Sequence, residues 1–163
     1  MKREPTHQIE SPTGLLKAFF KLPVLAYRTG TGFLMGDRFI YIEHIGRKSG
    51  EVRRSVLEVI RYDKEKDIYY IASGYGTKSD WYKNIKKTPN VKIQVGFRKT
   101  KANIKFLSAE RTEEEIRDYA RRHPTAIKQL AKLIGYKLTW EEGELSRLSK
   151  MWPVIAFHPD KLS

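Results

Sequence analysis

A chain of 163 residues, 40% of them hydrophobic, has the size of one domain and enough apolar side chains to bury a core, which excludes intrinsic disorder and a second independent core. It holds no cysteine, so disulfides, thiol nucleophiles and cysteine-ligated zinc or iron–sulfur centres are excluded. A formal net charge of +13 suits an anionic partner, whether nucleic acid, an acidic membrane surface or a multiply charged cofactor. The surplus is concentrated mid-chain: Lys78 to Lys105 carries nine basic residues against the single acid Asp80, whereas the segment from Ala109 onward is nearly balanced.

The chain opens on Lys2-Arg3-Glu4-Pro5, and its first apolar run, Leu15 to Leu25, is broken by Lys17, Lys21 and Pro23. Neither a signal peptide nor a spanning helix reads this way, so a cytoplasmic chain without a membrane anchor is expected. Residues 1–14 read as a flexible arm. Leu15, Leu16, Phe19, Phe20 and Leu22 fall close to helical spacing and predict a short amphipathic helix. Such a helix either packs on its own domain or rests through Leu15, Phe19 and Leu22 on the inner membrane face.

Beyond the connection at Gly30, Gly32 and Gly36, residues 38–45 are rich in β-formers and predict a strand, closed by the turn Gly46-Arg47-Lys48-Ser49-Gly50. Residues 52–61 alternate apolar and charged positions as a half-exposed strand does. The charged run 63–67 is a hairpin loop, and residues 68–72 form a third strand ending in Ser73-Gly74-Tyr75-Gly76. Ser79 is placed as the N-cap of a helix over 80–87, stopped by Pro89. Strands at 91–95 and 102–107 follow, joined by a basic turn around Arg98. Thr112-Glu113-Glu114-Glu115 reads as a capping box opening a helix that His123-Pro124 interrupts, and a second helical stretch runs to about Gly135. A strand at 154–157 closes the chain. Six or so short antiparallel strands with two or three inserted helices and an N-terminal helix define a mainly β, α+β chain, a single β-barrel domain over 1–163.

Two motifs carry chemistry. In Gly46-Arg47-Lys48-Ser49-Gly50, followed by Arg53 and Arg54, the glycines let the backbone turn while the cations and the serine hydroxyl suit a phosphate or carboxylate. A solvated basic hairpin reads the same, and the Walker pattern is absent. In the second, Ala72-Ser73-Gly74-Tyr75-Gly76 leads into Ser79-Asp80-Trp81-Tyr82 and Asn84, a strand-to-helix passage whose amides and helix dipole can hold a ring or an anion. Trp81 is either a stacking platform or a core anchor. His7, His44, His123 and His158 show no ligand spacing, so no metal or haem site is expected.

Taken together, Gly46-Arg47-Lys48-Ser49-Gly50-x-x-Arg53, Ala72-Ser73-Gly74-x-Gly76 and Asp80-Trp81-Tyr82-x-Asn84-Ile85-x-x-x-Pro89-x-Val91 resemble the deazaflavin (F-420)-dependent nitroreductase family. The likeness extends upstream into Leu22-Pro23-Val24-x-x-Tyr27-Arg28. It implies a split β-barrel of the FMN-binding type and an oxidoreductase that transfers hydride from the reduced coenzyme to an electron-poor small acceptor such as a nitro compound, quinone or enone. Carried over by position, Lys48, Ser49 and Arg53 hold the coenzyme's phosphate and oligoglutamyl tail, with Arg47 and Arg54 assisting. Ser73 contributes hydroxyl and backbone, Gly74 and Gly76 backbone, Asp80 and Trp81 flank the ring, and Asn84 orients the local backbone. The resemblance also implies a homodimer, since related barrels often pair across a strand face. The chain departs from the family where some members place tyrosines near the acceptor: His123, Pro124, Thr125, Ala126 and Gln129 stand there, with Tyr119 and Tyr136 nearby. Ser73, Tyr75, His44 and His123 could carry a proton, and none is assigned a catalytic role.

Three other readings compete. An FMN-binding flavoprotein would use the same barrel. A basic nucleic-acid module would stack bases on aromatics such as those between Tyr62 and Tyr82, although no recognised nucleic-acid motif is present. A carrier of lipid or haem-like ligands would use a barrel cavity without catalysis.

Overall fold

The computed structural model describes residues 36–161 of the chain. The arm at 1–14, the amphipathic helix with Leu15, Phe19 and Leu22, and the connection at Gly30 and Gly32 lie outside the described residues. Six antiparallel strands, β1 (Phe39–Ile45), β2 (Val52–Asp63), β3 (Ile68–Ala72), β4 (Asn90–Val95), β5 (Arg98–Phe106) and β6 (Val154–Pro159), close into a barrel in the order β1-β2-β3-β6-β5-β4. The last strand inserts between β3 and β5, and β4 completes the circle against β1. Four helices join them: α1 (Asp80–Lys87), α2 (Ala109–Arg122), α3 (Pro124–Leu133) and α4 (Glu144–Met151).

Strand alternation divides the apolar residues into two cores. Ile40 and Ile42 of β1, Val91, Ile93 and Val95 of β4, and Ile155 and Phe157 of β6 fill the barrel interior, with Tyr82 and Ile85 of α1 plugging one end. The opposite faces of β2, β3 and β6 present Ile60, Tyr70, Val154 and Ala156 to Ile116, Tyr119, Ile127 and Leu148 of the helices. β3 and β6 are therefore covered on both faces and read as unbroken hydrophobic runs. Along α2 the buried positions 112, 115, 116, 119 and 120 form one helical stripe.

The six strands match expectation, and several details differ. β5 begins at Arg98, which lies in the strand and grips Asp67 with two 2.7 Å hydrogen bonds; the turn is made by the two residues before it. Helix α2 opens four residues before the expected capping box: Ser108 is the N-cap and accepts from the Arg111 amide, leaving Thr112 buried inside the helix. Helix α4 was not foreseen. Its apolar positions Leu145, Leu148 and Met151 recur every third residue, a pattern too short to stand out beside the polar run before it. Among the described residues, no helix is long and apolar enough to cross a membrane.

Candidate cofactor site

The two sequence motifs meet at one end of the barrel because α1 bridges them. Helix α1 is short, but its charges suit its dipole, with Asp80 in the first turn and Lys86 and Lys87 in the last, and its apolar face enters the barrel mouth. From that helix, Asn84 reaches the β1–β2 turn. Its Oδ1 accepts from the Arg47 backbone amide and from Arg47 Nη1, both at 3.0 Å. Arg47 Nη2 lies 3.0 Å from Asp80 Oδ1, and Lys87 Nζ donates to the Arg47 carbonyl at 3.0 Å. Arg47 is thus consumed in holding the turn to the helix.

What the turn leaves exposed is a small cationic set. The side chains of Lys48, Ser49 and Arg53 are exposed. Arg53 pairs with Glu51 at 2.9 Å, a solvent-screened contact that an incoming anion can displace. Ser49 Oγ accepts from the Glu51 amide at 3.2 Å and from Arg53 at 3.5 Å, so its own proton remains to be donated. Gly46 makes this possible: a Cβ there would lie 2.7 Å from Ser49 Oγ and push the hydroxyl away. Two cations and a hydroxyl proton fit a phosphate- or carboxylate-bearing group.

Arg54 does not join them. Adjacent strand residues point to opposite faces, and Arg54 pairs in register with Glu43 on the outside of the barrel, 3.4 Å from its carboxylate. Arg53 shares the inner face with its register partner His44.

The second motif forms a rigid ledge. Ser73 is fully buried; its hydroxyl donates to the Gly76 carbonyl at 2.7 Å and lies 3.0 Å from Ser79 Oγ. In this structure that oxygen braces the loop and does not face open space. Ser79 likewise makes no side-chain cap to α1, because its hydroxyl is engaged with Ser73. Trp152 Nε1 donates to the Gly74 carbonyl at 2.7 Å, a support 78 residues distant in sequence that no local signal announces. A Cβ on Gly74 would meet nothing within 4 Å, so this stretch of backbone faces open space. Gly76 has φ +62°, and a Cβ on it would fall 2.7 Å from the Met151 carbonyl oxygen. Gly76→Ala is expected to destabilise the chain by about 2 kcal/mol through left-handed strain and that backbone clash, read as a lower urea midpoint at unchanged slope.

Trp81 is half-buried, packs against the barrel-interior cluster and meets Tyr82 edge-on at 6.2 Å, which makes it an anchor with one part still accessible. His44 is 3% exposed and points inward, and burial together with Arg53 lowers its imidazole pKa to about 4. His123 ends α2 directly before Pro124 and is exposed. Tyr119 belongs to the helix layer: its hydroxyl donates to Glu58 at 3.0 Å, and burial and that carboxylate push its pKa up. Among the described residues no group of three or more metal-ligating side chains converges.

A closed antiparallel barrel carrying a basic turn and a glycine-containing strand-to-helix ledge at one end has the architecture of a split barrel. The chain belongs to the F420H(2)-dependent quinone reductase family, whose model matches residues 23–135. It is accordingly an F-420-dependent reductase. No curated protein sequence matches it. Among solved structures, an F420-H2 dependent reductase, FDR-A, superposes with a TM-score of 0.50 at 18% identity, covering 74% of this chain and 93% of that one. A protein described as a domain-swapped dimer gives 0.50 at 18% identity, covering 83% and 98%. The haem storage protein HutZ of Vibrio cholerae gives 0.51 at 12% identity, covering 83% and 90%. At these identities the likeness speaks for the fold alone.

Proposed function

We propose that this reductase binds the anionic end of F-420 on Lys48, Ser49 and Arg53, seats the ring between the 73–76 ledge and Trp81, and reduces a quinone-type acceptor. The observation that carries this reading is the Asn84–Arg47 junction, which brings the cationic turn and the ledge together at the barrel mouth. When bound, the reduced deazaflavin supplies a hydride from its ring C5.

The chain's own residues supply binding and orientation. Lys48 and Arg53 attract and neutralise the anionic end, and Ser49 donates its free proton there. The ledge holds its shape through Ser73, Ser79 and Trp152, so the backbone beside Gly74 is set before the ring arrives. Asp80 is held beside Arg47 at the edge of the same mouth. The quinone-type acceptor is suggested by the family; nitro compounds and enones are the other electron-poor acceptors to be compared. A homodimer also belongs to this reading, in line with the relative described as a domain-swapped dimer, as does a cytoplasmic location.

Tyr62, Tyr69, Tyr70 and Tyr82 do not offer the stacking platform that a nucleic-acid module needs. Tyr69, Tyr70 and Tyr82 are buried, and Tyr62 is stacked on Tyr69 at 4.2 Å.

Fluorescence titration of the purified chain with F-420 and, in parallel, with FMN tests the proposal. F-420 is expected to bind, and Lys48→Ala and Arg53→Ala are each expected to weaken it about tenfold, since each removes one charge-assisted contact. Turnover with a quinone is then expected to exceed turnover with a nitroaromatic. Binding of FMN alone would replace the deazaflavin reading with a flavoprotein one, and unchanged affinity in both variants would remove the turn from the site.

A further inference from the structure

His44 belongs to none of the contacts proposed above, yet it occupies the centre of the junction that assembles them. Asn84 Nδ2 lies 3.1 Å from His44 Nδ1, and His44 Nε2 lies 3.2 Å from Ser55 Oγ. Both side chains are closed off from water, with His44 3% and Asn84 4% exposed.

Donor and acceptor logic fixes every proton along it. Arg47 offers only donors to Asn84, its amide and its guanidinium, so the Asn84 oxygen must face Arg47. The Asn84 NH2 then faces His44, and Nδ1 must be an unprotonated acceptor. A neutral imidazole with a bare Nδ1 carries its proton on Nε2, where Ser55 Oγ accepts it. The charged groups acting on the ring are Arg53 from β2 and Asp80 from α1; the cleft beside it is lined by Val91 and also by the charged Glu43, Lys92, Lys101 and Asp160. A proton added at Nδ1 would set two donors against each other. Relief by turning the Asn84 carboxamide would point its NH2 at the Arg47 amide and break the clamp.

We propose that His44 is a positioning residue: its Nε2-protonated imidazole holds the Asn84 carboxamide in the one orientation that clamps Arg47, and thereby fixes the 46–50 turn in its anion-binding shape. The link to coenzyme affinity rests on the reading of that turn given above; the clamp itself does not.

The test compares three substitutions in the full chain. In His44→Asn the side-chain oxygen stands near the place of Nδ1 and can still accept from Asn84. In His44→Gln the amide reaches toward Ser55 and offers nothing at that place, and His44→Leu fills the volume without polarity. Two readouts are taken: hydrogen exchange of the Arg47 backbone amide, and F-420 affinity with Lys48→Ala as control. Both His44→Gln and His44→Leu are expected to speed Arg47 exchange and weaken F-420 binding about tenfold, the loss of one buried hydrogen bond, while His44→Asn stays within about threefold of the parent. In the parent, 15N shifts of the ring are expected to show the proton on Nε2.

Equal behaviour of the three variants in amide exchange, or a proton found on Nδ1, would overturn the clamp. Variants that loosen Arg47 while F-420 affinity stays unchanged would overturn the link to binding if Lys48→Ala still weakens it. Should Lys48→Ala also bind as the parent does, it is the reading of the turn that fails, and the exchange data still decide the clamp.

Discussion

Replacing Glu115 with alanine is expected to destabilise the chain by about 3 kcal/mol, because a nearly buried carboxylate is removed from an arginine that was desolvated to meet it. The Glu115 side chain is 5% exposed and takes two 2.7 Å hydrogen bonds from Arg61, whose guanidinium lies 4.1 Å from the centre of the Tyr70 ring. The ordinary pKa of a guanidinium lies far above neutrality, so Arg61 remains charged after the substitution even without the carboxylate that raises its pKa further. Asp63, at 3.5 Å, and partial contact with water keep the loss near the lower end of what a broken buried pair costs. The effect is expected in the denaturant midpoint, with coenzyme affinity preserved, since this pair ties α2 to the outer face of β2 and takes no part in the 46–50 turn. A change below about 0.5 kcal/mol would show that the pair behaves as an ordinary surface contact.

Acidification is expected to remove about 3 kcal/mol through His44. The folded ring titrates at about 4 against an ordinary value of 6.5, a depression caused first by burial and then by Arg53. Below 6.5 the unfolded chain takes up a proton that the folded ring refuses, so stability falls as pH falls. The loss flattens below about 4, where the folded ring also protonates. A difference of about 2.5 pH units at about 1.36 kcal/mol each gives the stated magnitude. Urea denaturation from pH 7 to 4, compared with His44→Asn, isolates this contribution from that of the carboxylates. The parent is expected to show the steeper fall, and parallel profiles would assign the acid sensitivity elsewhere.

The parts legible in the sequence are those governed by short-range periodicity. In β1 the positions of Ile40, Ile42 and His44 alternate with Tyr41 and Glu43, and in β4 Val91, Ile93 and Val95 alternate with Lys92 and Gln94, so both strands and their inward faces follow from a period of two. The same rule already separates Arg53 from Arg54, though their common charge groups them when the motif is read as a string. It fails in β2, where the register shifts between Val59 and Arg61. That bulge turns the successive residues Ile60 and Arg61 both toward the helix layer, and only there can Arg61 meet Glu115.

By itself the sequence determined the six strands, the α1 helix and the residue types gathered in the Gly46–Gly50 and Ser73–Gly76 motifs, because backbone propensity, side-chain alternation and glycine conformational freedom act over a few neighbouring residues. Which of those residues are spent on internal contacts and which stay exposed was decided only by tertiary structure. Arg47 is spent on Asn84 and Asp80, Ser73 on its own loop and Arg54 on Glu43, whereas Lys48, Ser49 and Arg53 remain exposed. The physical reason is that a hydrogen-bonding group serves whichever partner the fold brings within about 3 Å. Those partners, Asn84 for Arg47, Trp152 for Gly74 and Glu115 for Arg61, lie tens of residues away along the chain.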